Sequence, residues 1–257
     1  MTLKENYIAY KTIFIREVLR FSRIWIQTLL PPTVVTALYL LIFGEVLGEK
    51  IGSVGGYPFI EFIVPGLILM TVIQNAYANV VSSFYSSKFQ RNIEEILVSP
   101  TPHYVILCGF AAGGVARGVV VGMVVTLVTS FFVRLQIYSV LVLVTTLVLT
   151  SLLFSVAGFI NAIYAKSFDD ISIIPTFVLT PLTYLGGVFY KVEDLPLFWQ
   201  GIAACNPILY MVNAFRFGFL HQPDVSLLLS YSILLGFIAV LWFYALFLLH
   251  RGTGLRT

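Results

Sequence analysis

Six long apolar stretches, separated by short polar gaps, fill most of the chain. A bilayer hydrocarbon core of ~30 Å takes about 20 apolar residues in a helix. The stretches lie near 24–47, 57–81, 104–133, 138–164, 171–190 and 227–249, and an apolar but interrupted segment, 191–226, separates the last two. A membrane β-barrel would alternate apolar and polar residues in segments of about ten. The run 138–149 does not alternate, so helices are the way to satisfy a buried backbone. Charged residues are 11% of the chain, against about 25% in a soluble domain. The expected fold is an all-α polytopic membrane protein with six transmembrane helices, one domain over 1–257.

Basic residues set the orientation, because cytoplasmic segments carry an excess of lysine and arginine. With the N-terminus inside, the inner segments carry Lys4, Lys11, Arg16, Arg20, Arg23, Lys88, Arg91, Lys166, Arg251 and Arg256. The outer segments carry Lys50, Arg134, Lys191 and Arg216, so the ratio is ten to four, with Arg117 inside a span. Both termini are expected in the cytoplasm of a cell with a bacterial-type inner membrane. The net charge of +3 follows from this one-sided gathering and does not indicate nucleic acid. The first 23 residues are polar with a helical pattern, unlike a short charged head before an apolar core. The first span is therefore expected to serve as an uncleaved insertion signal. Within 4–23, Tyr7, Tyr10, Phe14, Val18, Phe21 and Trp25 recur at steps of three and four, and Arg16, Arg20 and Arg23 fall opposite. That pattern predicts an amphipathic helix on the inner membrane surface, its arginines toward phosphate.

Cys108 and Cys205 fall on opposite sides of the membrane in this topology, which excludes a bridge between them. His103, His221 and His250 fall in three separate places, so no metal site is expected. Prolines 31, 32, 65, 175 and 181 lie within spans and predict bends. Gly109, Gly113, Gly114, Gly118 and Gly122 include pairs four apart, which permit close helix contact within or between protomers.

The polar stretch 84–103 holds a short apolar stripe, Phe89, Ile93, Ile96 and Leu97, with Glu94 and Glu95 pointing elsewhere. Ser99-Pro100-Thr101-Pro102 ends that helix sharply. The run "RNIEEILVSPTPHYVILCGF" resembles the coupling segment of ABC type-2 exporter permeases, and three further runs are similar to the same family in the same order. These are "YPFIEFIVPGLILM", "GGVARGVVVG" and "PLTYLGGVFYKVEDLPLFWQGIAACNPILYMVNAFRFGFL". The resemblance implies a half-transporter. Two permease copies would pair with two ABC ATPase subunits, and ATP and Mg would be bound only by those partners. Glu94, Glu95, Leu97 and Pro100 would couple to the ATPase. Asn206, Pro207 and Arg216 would lie in a pair of short re-entrant helices capping the outer side. Residues 191–226 fit that independently, being interrupted by Pro196 and Pro207 and carrying Trp199 and Tyr210.

A phosphate-binding loop needs a Gly-Lys pair, and the sequence contains none. The chain is therefore expected to lack its own ATPase site and to bind no cofactor directly. Arg117 lies thirteen residues past Tyr104, ~20 Å along a helix. An arginine there costs ~2.5–3.5 kcal/mol to insert. It either meets an anionic head group or is a structural charge held by a carboxylate or freed carbonyls. Glu61 is the acid nearest a span, but close to the outer end of its helix. The expected substrate is amphipathic, surrounded by membrane lipid. An ion-coupled secondary transporter would use mid-span carboxylates, and all twelve acids are expected at membrane edges or in loops. A membrane-embedded enzyme would need an acid–base or nucleophile set at one depth, which the sequence does not offer. A non-transporting anchor subunit is the remaining alternative.

Overall fold

The computed structural model describes residues 2–46, 48–221 and 225–254. Helix α1 spans Leu3–Arg23 and opens on a reciprocal cap, with Thr2 N donating to Glu5 Oε2 (2.8 Å) and Glu5 N donating to Thr2 Oγ1 (3.3 Å). It breaks at Ile24, and α2 runs Trp25–Leu40 into a π-helical turn, Leu41–Val46. A short helix α3, Gly48–Ile51, and a two-residue hairpin, β1 Ser53–Val54 with β2 Tyr57–Pro58, lead to α4, Phe59–Phe89. Then come α5 Asn92–Val98, α6 His103–Thr129 and α7 Val140–Tyr164. Next, α8 Asp170–Ile174, a π turn Pro175–Leu179 and α9 Thr180–Leu185 make one interrupted rod. Short helices α10 Leu197–Ala204 and α11 Pro207–Leu220 precede α12, Leu227–Arg251.

Among the described residues, five helical segments are long and apolar enough to cross a membrane: 25–44, α4, α6, α7 and α12. The stretch 171–190, expected as a further span, is the interrupted rod Asp170–Leu185, whose 16 residues reach only ~24 Å. Pro175 opens the π turn that interrupts it, because proline donates no hydrogen bond to the preceding turn. The second span extends beyond its expected end at 81, since the serines that follow remain helical. Ser82 and Ser87 donate back to the carbonyls of Ala78 and Ser83, which satisfies their hydroxyls without breaking the helix.

The bundle forms around α4, of whose 31 residues only Gln74 and Phe89 are exposed. Helices α6 and α7 pack along it, with Phe84 against Phe159 at 4.3 Å and Phe110 at 5.2 Å between ring centres. The glycines of α6 form two rows within this one chain. Gly109 and Gly113 receive Ile13 and Glu17 of α1, and a Cβ on Gly109 would stand 2.6 Å from Ile13 Cγ2. Gly114 and Gly118 receive Ser155 and Ser151 of α7, the latter at 2.5 Å from an added Cβ.

The apolar stripe expected for α1 is divided between the protein and the outside. Ile13, Glu17 and Phe21 are buried, whereas Tyr7 and Trp25 are exposed. Arg20, expected to face phosphate, turns into the protein, and Arg16 lies over the Phe110 ring at 5.3 Å.

The helix ends sort into two groups. At one end, Asn6 donates to the Tyr104 hydroxyl (3.0 Å), and Lys88 Nζ donates to the carbonyls of Ile163 and Ala165, both at 2.8 Å. His103 and His250, expected apart, meet there edge to face at 5.8 Å, because the start of α6 and the end of α12 are neighbours. Among the described residues, no three metal-ligating side chains group together. At the other end, Tyr57 donates to the Leu220 carbonyl (2.6 Å) and the Tyr138 amide to that of Gly218 (3.0 Å). Arg256 lies outside the described residues. Cys108 and Cys205 are both free.

Candidate functional site: a polar pocket, a buried ion cluster and an exposed short helix

Gln74 lies halfway along α4, ~22 Å from either end, and is exposed where most of its neighbours on that helix are buried. It borders a cavity of about 260 Å³ between α2 and α4, lined also by Gln27, Thr36, Tyr39, Thr71 and Asn75. The polar side chains come from two helices running in opposite directions. Gln27, Thr36 and Tyr39 contribute from α2, and Thr71, Gln74 and Asn75 from α4, among apolar Pro31, Pro32, Val35, Leu67 and Met70.

Arg117 stands behind this cavity. Its Nη2 donates to Asn75 Oδ1 at 3.0 Å, and Asn75 Nδ2 donates to the Thr71 carbonyl at 3.0 Å. The Arg117 Nε is buried without a hydrogen-bond partner among the described residues. Among the described residues, no carboxylate pairs with it. Glu61 lies in the first turn of α4, fourteen residues from Asn75, lining a small cleft with Arg134 and Gln136. The structure thus separates Arg117 from Glu61 and pairs it with an amide.

One turn further along α4 is an ion cluster. Glu17 is completely buried, and its Oε1 accepts from Ser83 Oγ at 2.6 Å. Arg16 and Arg20 each approach a Glu17 oxygen at 3.5 Å. Arg20 Nη2 also donates to Asn79 Oδ1 (2.8 Å) and to the Asn79 carbonyl (2.7 Å). Burial holds the Arg20 guanidinium below its usual pKa, and Glu17 opposes that shift. Arg20 and Arg117 thus bond amides one helical turn apart on α4. Glu17 lies on α1, outside the five membrane-crossing helices, and is buried against α4 and α6. Two arginines approach it and a serine donates to it, which fixes the carboxylate in place.

The helix α5 is a separate feature. Arg91 adopts a left-handed conformation (φ 61°, ψ 6°), uncommon for a residue with a side chain, which reverses the chain after α4. Ile93 is buried and anchors the helix, while Glu94, Glu95, Val98 and Pro100 are exposed. Leu97 is helical in backbone. Ser99 Oγ donates to the Ile96 carbonyl (2.6 Å) and to Thr101 Oγ1 (2.9 Å), closing the turn.

Asn206, Pro207 and Arg216 all belong to α11 or its cap. Asn206 Oδ1 accepts from the Ile208 amide (3.0 Å), and its Nδ2 donates to the Leu182 carbonyl (2.6 Å). Pro207 occupies the first helical position, where its missing N–H is not needed. Arg216 Nη2 donates to the Gly187 carbonyl (2.7 Å), and its guanidinium lies 3.8 Å from the Phe62 ring centre. These residues fasten α11 to the end of α9 and to α4. Replacing Asn206 by alanine is expected to cost about 1–2 kcal/mol, read as a lowered thermal midpoint of the purified protein with faster proteolysis of the 186–206 segment.

Sequence reasoning found Arg117 and α5 but missed Gln74, Asn75 and Glu17. The run Gln74-Asn75 with Asn79, inside an otherwise apolar span, was the available signal, since amides are costly in hydrocarbon. For Glu17 the signal was its register with Ile13 and Phe21, at steps of four.

Residues 8–220 match the ABC-2 type transporter family. The chain is 53% identical to "Inner membrane transport permease YadH" of Escherichia coli (strain K12), over 98% of each chain. It is 24% identical to "Nodulation protein J" of Rhizobium leguminosarum bv. viciae, over 96% of this chain and 92% of that one.

Proposed function

The chain belongs to the ABC-2 type transporter family, and from that premise we propose that it is the membrane subunit of an ATP-driven exporter. It moves an amphipathic substrate across a bacterial inner membrane, and a separate ATPase subunit supplies the work. Two copies of the permease assemble with two of the ATPase. The rod Asp170–Leu185 completes a sixth crossing, α10 and α11 dip from the outer face, and both termini lie inside. Exposed Tyr7, Ile8 and Leu19 on α1, and an apolar groove of about 790 Å³ bordered by Phe14, Ala112, Val148 and Trp242, suit lipid contact.

The observation that carries this reading is α5. A seven-residue helix anchored by Ile93 and Ile96, with Glu94, Glu95, Val98 and Pro100 turned outward, has the form of a handle for a partner. It stands at the end of the bundle where Lys4, Lys88, Lys166 and Arg251 gather, the side expected to be cytoplasmic. Purification in mild detergent should yield a companion carrying a phosphate-binding loop at about equal amount. Glu94→Lys with Pro100→Ala should uncouple that companion's turnover from transport. A companion whose turnover and transport both ignore those changes would remove coupling from this segment.

A further inference from the structure

We propose that the pocket between α2 and α4 receives the anionic head group of the transported amphiphile, with Gln27, Gln74 and Asn75 facing it and Arg117 acting as a positioning charge behind Asn75. This rests on the export reading above and names the chemistry of its substrate.

Gln74 gives the first reason. An exposed primary amide in the middle of a membrane-crossing helix has no favourable contact with lipid tails. Gln27, Thr36 and Tyr39 stand across the cavity among apolar Pro31, Pro32 and Val35, so the site sets a few donors and acceptors in an apolar wall. A cavity of about 260 Å³ has room for a head group but not for acyl chains. The chains would stay in lipid, beside the exposed face of α2 carrying Leu30, Val34 and Leu38.

Charge gives the second reason. Arg20 and Arg117 bond Asn79 and Asn75, one turn apart on α4, and Glu17 is held by Arg16, Arg20 and Ser83. Among the described residues, Arg117 is held by an amide oxygen alone, with its Nε unused. A positive charge buried beside a second positive charge favours an anion nearby. Asn75 is fixed between Arg117 and the Thr71 carbonyl, which leaves one of its amide hydrogens to turn toward the cavity. A ligand there would feel Arg117 without touching it.

The test is titration calorimetry on the purified full chain in dodecyl maltoside, with no ATP and no companion present. The probes are dihexanoyl phosphatidic acid, dihexanoyl phosphatidylcholine and inorganic phosphate. The phosphatidic acid should bind about tenfold tighter than the phosphatidylcholine, the gain of one charge-assisted hydrogen-bond set. Inorganic phosphate should bind more weakly than either lipid. Gln74→Leu, an exposed change that leaves the core alone, should weaken the acid about tenfold. Arg117→Gln should abolish the preference for the acid, and Arg117→Lys should restore it. Equal binding of the two lipids would overturn the proposal. So would acid binding that Gln74→Leu leaves unchanged, a result that decides the matter even if Arg117→Gln fails to fold. Phosphate binding as tightly as the lipid acid would overturn the amphiphile as ligand. Because no companion takes part, failure here leaves the ATPase partnership standing, and a missing companion leaves the pocket's chemistry standing.

Discussion

Glu17→Gln is expected to destabilise the purified protein by about 1–3 kcal/mol, the cost of taking the charge from a buried carboxylate whose arginine partners are partly exposed. The glutamine fits the same space and keeps the Ser83 contact, so the loss is one of charge rather than shape. Arg16, Arg20 and Arg117 would then share a region with no anion. Differential scanning fluorimetry should show a lower midpoint, and hydrogen exchange should show α1 opening before α4. Adding Arg20→Met should recover part of the loss, because the second change removes the stranded cation. If the single variant melted with the parent protein, the cluster would contribute no net stability.

Gly158→Val is expected to prevent α7 from seating on α4. An added Cβ would stand 2.6 Å from the Tyr77 carbonyl oxygen, which is backbone and cannot rotate aside. Overpacking a core typically costs 1–3 kcal/mol, and a branched side chain against backbone belongs at the top of that range or above it. The nearby bond from Asn161 Nδ2 to the Tyr77 hydroxyl (2.7 Å) would be lost with it. The measurement is yield and monodispersity after gel filtration, with Gly158→Ala as an intermediate case. Gly201→Ala and Gly236→Ala serve as controls, since nothing lies within 4 Å of a Cβ at either position. Those two should be neutral or gain up to about 1 kcal/mol from reduced backbone freedom.

The spans over α4, α6, α7 and α12 were legible in the sequence, because a bilayer demands length and apolarity and both are written along the chain. The small residues of α6 were equally plain as contact points, though not which neighbour each would meet. Gly109 and Gly114 face different helices. What lay beyond reading depended on contacts distant in sequence. Glu17 is tolerable only because Ser83, Arg20 and the missing side chain of Gly113 make room and partners for it. The end of α4 at Phe89 depended on serines bonding back to their own helix, which hydropathy counts as an ending. Residues 53–58 form a hairpin too short to leave a pattern, with glycines at positive φ at 55 and 56 supplying the turn. Arg117 was visible as an anomaly, but its partner was not. A head group, a carboxylate or freed carbonyls were the expected partners, and among the described residues an asparagine forty-two residues upstream holds it.

The bond from Lys88 to the last carbonyls of α7 has a mechanical meaning. One ammonium, a turn before α4 gives way to α5, clamps the ends of two long rods at Ile163 and Ala165. Any load applied at α5 is thereby divided between both rods at their tips, so they tilt as a pair instead of sliding past each other.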